Sequence, residues 1–257
     1  MNRFALLLTL LPTPLFAQSE LSLLPGWRTE AGTQVVGVAI ALDPGWKTYW
    51  RVPGAGGIPP LFDWSGSANL ADVRVIWPRP EVFETYGMLS FGYDGVVVLP
   101  VEVTPQDPTA PLDLALTLDY GICADVCVPA TSSAALPAGT PETLASGFAI
   151  DAALSDRVMT GTEAGVALAD CRLAAPDRLV FDVHYQTPPL LAPMPVLETG
   201  REDVMATPES VSFTETGFVV EAQVHRYGNA PLPDLGALRV TLLGAFSAAE
   251  ISGCPPG

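Results

Sequence analysis

Hydrophobic and polar residues alternate in several segments of the chain, and this period of two residues predicts β-strands with one buried face. Glycine (23) and proline (26) are frequent and spread along the whole chain, which indicates many turns. Short strands separated in this way are typical of a β-sandwich. The predicted strands are residues 34–42, 47–52, 61–64, 73–77, 96–103, 112–120, 126–136, 166–173, 179–185, 211–213, 218–226 and 238–245. The sequence therefore predicts an all-β protein.

The pattern changes near residue 140, and this change divides the chain. Residues 137–141 contain two prolines and a glycine, and residues 142–157 could form one or two helical turns. Strand candidates then resume. We therefore predict two β-sandwich domains, over residues 18–148 and, smaller, over 149–257. One continuous sandwich is the alternative.

The first 17 residues have the features of a secretory signal. Arg3 supplies a positive charge, residues 4–11 are apolar, and the small Ala17 suits the position before the cleavage site. The apolar stretch is shorter than the ~20 residues that span a bilayer, which disfavours an uncleaved anchor helix. We expect cleavage near Ala17, a periplasmic protein and no membrane span in the mature chain.

The chain is strongly acidic, with 28 aspartates and glutamates against 12 lysines and arginines, and a formal charge of −16. Binding to nucleic acid requires a basic face. The composition therefore excludes nucleic acid as the expected partner.

Four cysteines are the main candidates for chemistry. In an oxidising compartment a close pair such as Cys123 and Cys127 is normally disulfide-bonded. In the chain-entropy model such a ring of about 5 residues contributes about 2 kcal/mol, whereas a Cys171–Cys254 bridge around roughly 84 residues contributes about 4.6 kcal/mol. Asp125 suits the turn that the close pair requires, although its carboxylate disfavours a thiolate. We expect the long bridge to be structural.

Spacing alone leaves the function of the close pair open. If both bridges are structural, the chain is a non-catalytic interaction module. Cys123 and Cys127, with Met88, could instead bind Cu(I), which prefers thiolate and thioether ligands, although the five methionines are scattered. His184 and His225 lie in predicted strands without a zinc spacing or a nucleophile motif, which disfavours a hydrolase.

Several short motifs occur in a fixed order and carry a resemblance to a known family. They are residues 45–54 (GWKTYWRVPG), 76–78 (IWP), 86–87 (YG), 92–95 (GYDG), 99–101 (LPV) and 123–129 (CADVCVP). Together they resemble the N-terminal periplasmic domain of the DsbD thiol:disulfide interchange proteins, and more closely its ScsB-type relatives, which are linked with copper tolerance. The resemblance covers roughly residues 30–137, and the whole mature chain for the ScsB branch.

The resemblance implies an immunoglobulin-like sandwich with a redox-active cysteine pair. In this family the domain receives electrons from a membrane-embedded thiol carrier and passes them to exported, disulfide-containing client proteins. By this analogy Cys127 forms the mixed disulfide with partners and Cys123 resolves it, as in a protein-disulfide reductase. Such an exchange cycle requires no bound cofactor and no metal.

The family also has a loop whose aromatic residue caps the cysteine pair against stray oxidants. The matching segment here is residues 83–87, in which Tyr86 is the preferred cap and Phe83 the reserve, with ordinary core packing as the alternative for both. Glu84 could accept a proton near the sulfurs, although a solvated carboxylate is the simpler interpretation.

The chain departs from the DsbD pattern in two ways. Its cysteine spacing is shorter than in the DsbD branch, although it suits the ScsB-like one. It also contains neither the membrane module nor the C-terminal thioredoxin-like domain of full DsbD. We therefore expect the electron donor to be a separate polypeptide, and docking to donor or client is a possible role for the second domain.

Overall fold

The structure is a computed structural model that describes residues 18–85, 87–185 and 193–254, and these residues form mainly β-strands. Burial alternates strictly along several of them, as in Cys127–Leu136, where nearly every second side chain faces the protein interior. The all-β fold predicted from this period is confirmed.

The first part of the chain forms an immunoglobulin-like sandwich of two sheets. Its strands, β1 to β10, are Ser19–Leu24, Gln34–Leu42, Lys47–Gly54, Leu61–Asp63, Leu70–Val75, Glu81–Thr85, Met88–Asp94, Val96–Pro105, Leu114–Cys123 and Cys127–Leu136. One sheet has the order β1-β2-β8-β5, and the other has the order β10-β9-β3-β7-β6, with β4 paired to β9. Apolar side chains from both sheets, among them Val38, Leu99 and Leu118, form a common core.

A helix, α1 (Leu144–Ser155), follows the first sandwich and is longer than the predicted one or two turns. It begins at a capping box in which the hydroxyls of Thr143 and Ser146 accept each other's backbone N–H. Ile150 is fully buried and packs so close to Gly37 that a Cβ there would lie 3.0 Å from it. The predicted boundary between residues 148 and 149 thus lies within a helix that packs on the first sandwich.

The rest of the chain forms a second, smaller sandwich. Its strands, β11 to β18, are Met159–Thr160, Val166–Ala175, Arg178–Tyr185, Met194–Glu198, Val204–Phe213, Gly217–Arg226, Arg239–Leu243 and Ala248–Ser252. A short helix α2 (Gly161–Ala164) and a 3-10 turn (Leu235–Ala237) lie between them. The sheets have the orders β11-β18-β17-β14 and β12-β13-β16-β15. Phe181, Phe218 and Leu238 are at the centre of this second core.

The two ends of the chain and two internal segments lie outside the described residues, and with them the predicted signal over 1–17. Within the described part of the chain, no helix combines the length and the apolar character needed to cross a bilayer.

Candidate functional site

The close cysteine pair lies at the tip of the hairpin formed by β9 and β10. Cys123 and Cys127 are directly opposite in the strand register, and residues 124–126 form the turn between them. Residues that face each other across antiparallel strands have neighbouring Cβ atoms. The structure joins the two sulfurs in a disulfide, with 4.0 Å between the Cα atoms.

The two cysteines of this bridge differ in burial. Cys127 is exposed, whereas Cys123 is partly buried at the end of β9. Asp125 is exposed at the centre of the turn, in the position that suits a turn-forming residue. An incoming thiolate must reach a sulfur along the S–S axis, so access decides which sulfur reacts. Cys127 is the more exposed residue of the two.

A tyrosine from a distant strand completes the site. The hydroxyl of Tyr49, on β3, donates a hydrogen bond to Sγ of Cys127 over 2.9 Å. Because the disulfide sulfur carries no proton, the phenol must be the donor. Burial raises the pKa of Tyr49, so the hydroxyl keeps its proton at ordinary pH. The site thus includes a neutral hydrogen-bond donor that points at the sulfur of Cys127.

Two glycines hold the tyrosine ring in place. A Cβ on Gly57 would lie 2.8 Å from one edge of the Tyr49 ring, and a Cβ on Gly121 would lie 2.9 Å from the other edge. Only glycine fits at both positions without a shift, because real Cβ atoms do not approach ring carbons this closely. The Thr48 hydroxyl donates to the Gly121 carbonyl over 2.9 Å and ties β3 to β9 at this level. The ring therefore occupies a narrow slot between backbone segments.

The single lysine of the chain lies beside the pair. Lys47 is opposite Cys123 in one ladder and opposite Asp94 in the other. Its ammonium group lies 4.0 Å from the centroid of the Phe83 ring, a cation–π contact. Phe83 is partly buried on β6, so the reserve cap residue is tied to the strand that carries Tyr49.

The remaining predicted residues are less closely tied to the site. Glu84 is exposed and adjoins Phe83 on β6, so strand alternation directs it to the other face of the sheet. Tyr86, the preferred cap residue, lies outside the described residues. Met88, the proposed third copper ligand, is 52% exposed at the start of β7. Within the described ranges, no group of three or more His, Cys, Asp or Glu residues is placed to hold a metal ion.

The second disulfide lies in the second sandwich and packs against its core. It joins Cys171, on β12, to Cys254 after β18, with 5.7 Å between the Cα atoms. Both cysteines are partly buried and pack against the core of the second sandwich. The backbone N–H of Cys254 also donates to the Leu235 carbonyl over 2.9 Å. This bridge fastens the end of β18 to the second sandwich, which contains His184 and His225 as exposed strand residues.

Sequence reasoning did not select Tyr49 as a site residue. The residue lies within the motif 45–54, where the sequence pattern indicates only an aromatic residue in a β-strand. The available signal was its position within the motif, one residue after Thr48. Its contact with Cys127 joins residues 78 positions apart, which only the strand register specifies.

Comparison with known proteins agrees with this architecture. The profile of the family described as "Thiol:disulfide interchange protein DsbD, N-terminal" matches residues 20–138. The N-terminal periplasmic domain of ScsB from Proteus mirabilis has a similar structure, with a TM-score of 0.69 and 21% sequence identity over 95% of this chain and 97% of that one. The reduced N-terminal domain of DsbD from Neisseria meningitidis aligns with a TM-score of 0.25 and 17% identity, over 40% of this chain and 75% of that one. No curated protein sequence matches the chain.

The fold and the site define a β-sandwich that presents a disulfide on an exposed hairpin. Residues 20–138 belong to the DsbD N-terminal domain family, and the whole described chain shares the two-sandwich fold of the ScsB domain. Membership of this family supports a function of the thiol:disulfide interchange type.

Proposed function

We propose that the protein relays reducing equivalents, in the periplasm, from a membrane-embedded thiol carrier to exported proteins that contain disulfides. The observation that carries this proposal is the disulfide at the exposed residue Cys127, whose Sγ accepts a hydrogen bond from the Tyr49 hydroxyl. A purely structural bridge needs neither exposure nor a dedicated donor. Both cysteines of the second bridge, Cys171 and Cys254, are partly buried and pack on a core instead.

The first half of the cycle reduces the pair. A thiolate of the donor attacks Sγ of Cys127, the Cys123–Cys127 bond breaks, and Cys123 leaves as a thiolate that takes up a proton. The second thiol of the donor, as a thiolate, then attacks the donor sulfur of the mixed disulfide and releases Cys127. Two electrons have then passed to the protein, and the donor holds a disulfide.

The second half of the cycle reduces the client. The Cys127 thiolate attacks a client disulfide and forms a mixed disulfide, while one client sulfur leaves and is protonated. Cys123 then attacks Sγ of Cys127, which releases the client as a dithiol and restores the bridge. The Tyr49 hydroxyl stabilises the thiolate form of Cys127 during the cycle, because hydrogen bonds to charged acceptors are stronger.

The remaining parts of the proposal rest on the family resemblance. Tyr86, or Phe83 in its place, shields the pair from small oxidants between encounters. The signal over residues 1–17 exports the chain, and the named ScsB relative is itself described as a periplasmic domain. The division into domains over 18–148 and 149–257 stays a prediction.

Replacing each cysteine separately tests the assignment of roles. In the host, Cys123→Ser should accumulate mixed disulfides through Cys127, since no resolving thiol remains, and Cys127→Ser should accumulate far fewer. The two variants differ only in which thiol remains, so each is the matched control of the other. Non-reducing electrophoresis with mass spectrometry of the linked peptides measures the outcome. Equal trapping by both variants would contradict the assigned order of attack.

A test on the isolated protein addresses the chemistry itself. Dithiothreitol at low concentration should open Cys123–Cys127 before Cys171–Cys254, because the first bridge includes an exposed cysteine and the second packs on a core. Differential alkylation and mass spectrometry identify the bridge that opens. If both bridges resist reduction in the folded protein, the relay proposal fails and an inert interaction module is the better description.

A further inference from the structure

One sheet of the second sandwich has two packed faces. Along β14, β17 and β18, one set of alternate residues, which includes Leu197, Val240 and Ala249, belongs to the core of the second sandwich. The other set includes Val196 and Leu243, which belong to the core of the first sandwich. Because neighbouring residues of a strand face opposite sides, this sheet packs on its own sandwich with one face and on the first sandwich with the other.

The face that meets the first sandwich also carries charge. Glu198 is opposite Arg239 in the β14–β17 ladder, and Glu250 is opposite Thr241 in the β17–β18 ladder. Their register places these side chains on the same face as Val196. The contact between the sandwiches therefore has an apolar part and a polar part.

Arg51 of β3 reaches into the polar part. Its Nε donates to both carboxylate oxygens of Glu198 over 3.2 and 3.1 Å, and Nη2 contacts Glu250 and the buried hydroxyl of Thr241. The Arg51 side chain is only 14% exposed, and each glutamate is 23% exposed. Arg239 pairs with the same two carboxylates at 3.6 and 3.4 Å. We call Arg51, Glu198 and Glu250 the inter-sandwich clamp.

The clamp acts on a stretch of β3 that has no ladder partner in the described part of the chain, although Trp50 within it is fully buried in the first core. The β3–β7 ladder runs from Lys47 to Tyr49 and resumes only at Gly54, and the β3–β9 ladder ends at Thr48. Within the described ladders, residues 50–53 have no registered partner. Tyr49 is therefore the last paired residue before an unpaired stretch, and Arg51 is fixed from the second sandwich two residues further on.

We propose that Arg51 is a positioning residue for the cysteine pair, and that the second sandwich acts on the redox site through it. By fixing the unpaired stretch of β3, the clamp keeps the Tyr49 ring in its glycine slot and its hydroxyl on Sγ of Cys127. Without the two glutamates the buried Arg51 cation is left unpaired, and this destabilises the contact. Removing either the arginine or a glutamate should therefore release the strand. This inference rests on the proposed thiol exchange and gives the second sandwich a role in it.

The pH dependence of alkylation tests the proposal. Full-length protein carrying Cys123→Ser, with Cys171–Cys254 intact, is treated with iodoacetamide, and the Cys127 peptide is quantified by mass spectrometry. Arg51→Gln and Glu198→Gln should each raise the pKa of the Cys127 thiol and slow its alkylation at neutral pH about threefold. Arg51→Lys, which keeps the charge, should recover part of this loss.

A double variant separates positioning from general destabilisation. If Arg51 acts through Tyr49, adding Arg51→Gln to Tyr49→Phe should slow alkylation no further than Tyr49→Phe alone. Arg178→Gln is the control, because Arg178 pairs with Glu221 on the exposed surface of the second sandwich. It should leave the alkylation profile unchanged.

Two outcomes would overturn the proposal. One is that the pH dependence of Cys127 alkylation is unchanged in both Arg51→Gln and Glu198→Gln, even if either variant unfolds at a lower temperature. The other is that alkylation in the double variant is slowed by the combined effect of the two single substitutions. The alkylation assay needs no partner protein. The inference about Arg51 can therefore fail while relay to clients persists. Equally, the relay can fail while the pH dependence of Cys127 alkylation still responds to Arg51.

Discussion

Removing the Tyr49 hydroxyl is the most direct perturbation of the site. Tyr49→Phe keeps the ring between Gly57 and Gly121 and deletes only the group that donates to Sγ of Cys127. Once the pair is reduced, this donor stabilises the Cys127 thiolate more than the thiol. Its loss should therefore raise the pKa of the Cys127 thiol.

The size of the shift follows from the two hydrogen-bond strengths. A hydrogen bond contributes about 0.5–1.5 kcal/mol with a neutral acceptor and about 1.5–3 kcal/mol with a charged one, a difference of about 1–1.5 kcal/mol. This difference corresponds to about one pKa unit. The thiolate fraction then falls about tenfold at neutral pH, but the remaining thiolate is more nucleophilic, with a Brønsted coefficient of about 0.4–0.5. The net effect is alkylation about three- to fourfold slower.

The assay is the iodoacetamide rate of Cys127 as a function of pH, in protein carrying Cys123→Ser. Tyr227→Phe is a matched control, because Tyr227 is 57% exposed in the second sandwich. It should reproduce the parent curve. If Tyr49→Phe also reproduces the parent curve, the hydroxyl does not stabilise the thiolate and the assigned role of Tyr49 is wrong.

The remaining predictions concern stability. Gly121→Ala should destabilise the fold by about 1–3 kcal/mol, because the new Cβ would overlap the Tyr49 ring, and denaturant unfolding monitored by fluorescence measures this loss. Serine at both Cys171 and Cys254 should cost about 4–5 kcal/mol in the same measurement, and an unchanged midpoint would show that the bridge constrains nothing. Thr143→Ala should cost about 1 kcal/mol by removing the cap of α1, whereas Thr143→Asn, which can also cap, should cost less.

The fold could be predicted where local pattern and burial coincide. The strands at Gln34–Leu42 and Gly217–Arg226 have long runs of apolar and β-branched residues, and the sequence alone places them within one residue. The sequence did not identify Glu81–Thr85 and Ala248–Ser252 as strands. The first is an edge strand with two glutamates, and the second is rich in alanine. Both are strands because a neighbour supplies their hydrogen bonds, which a local pattern does not show.

The candidate site divides in the same way. The sequence by itself determined the disulfide hairpin, because two cysteines with three residues between them, on adjoining strands, can meet through a local turn. Only the tertiary structure decided that Tyr49 points at Cys127, and that Arg51 binds Glu198, which is 147 positions away in the chain. Such contacts depend on strand register and on how two sheets pack. These are set by the sum of many weak interactions across the fold, and no single segment of sequence encodes them.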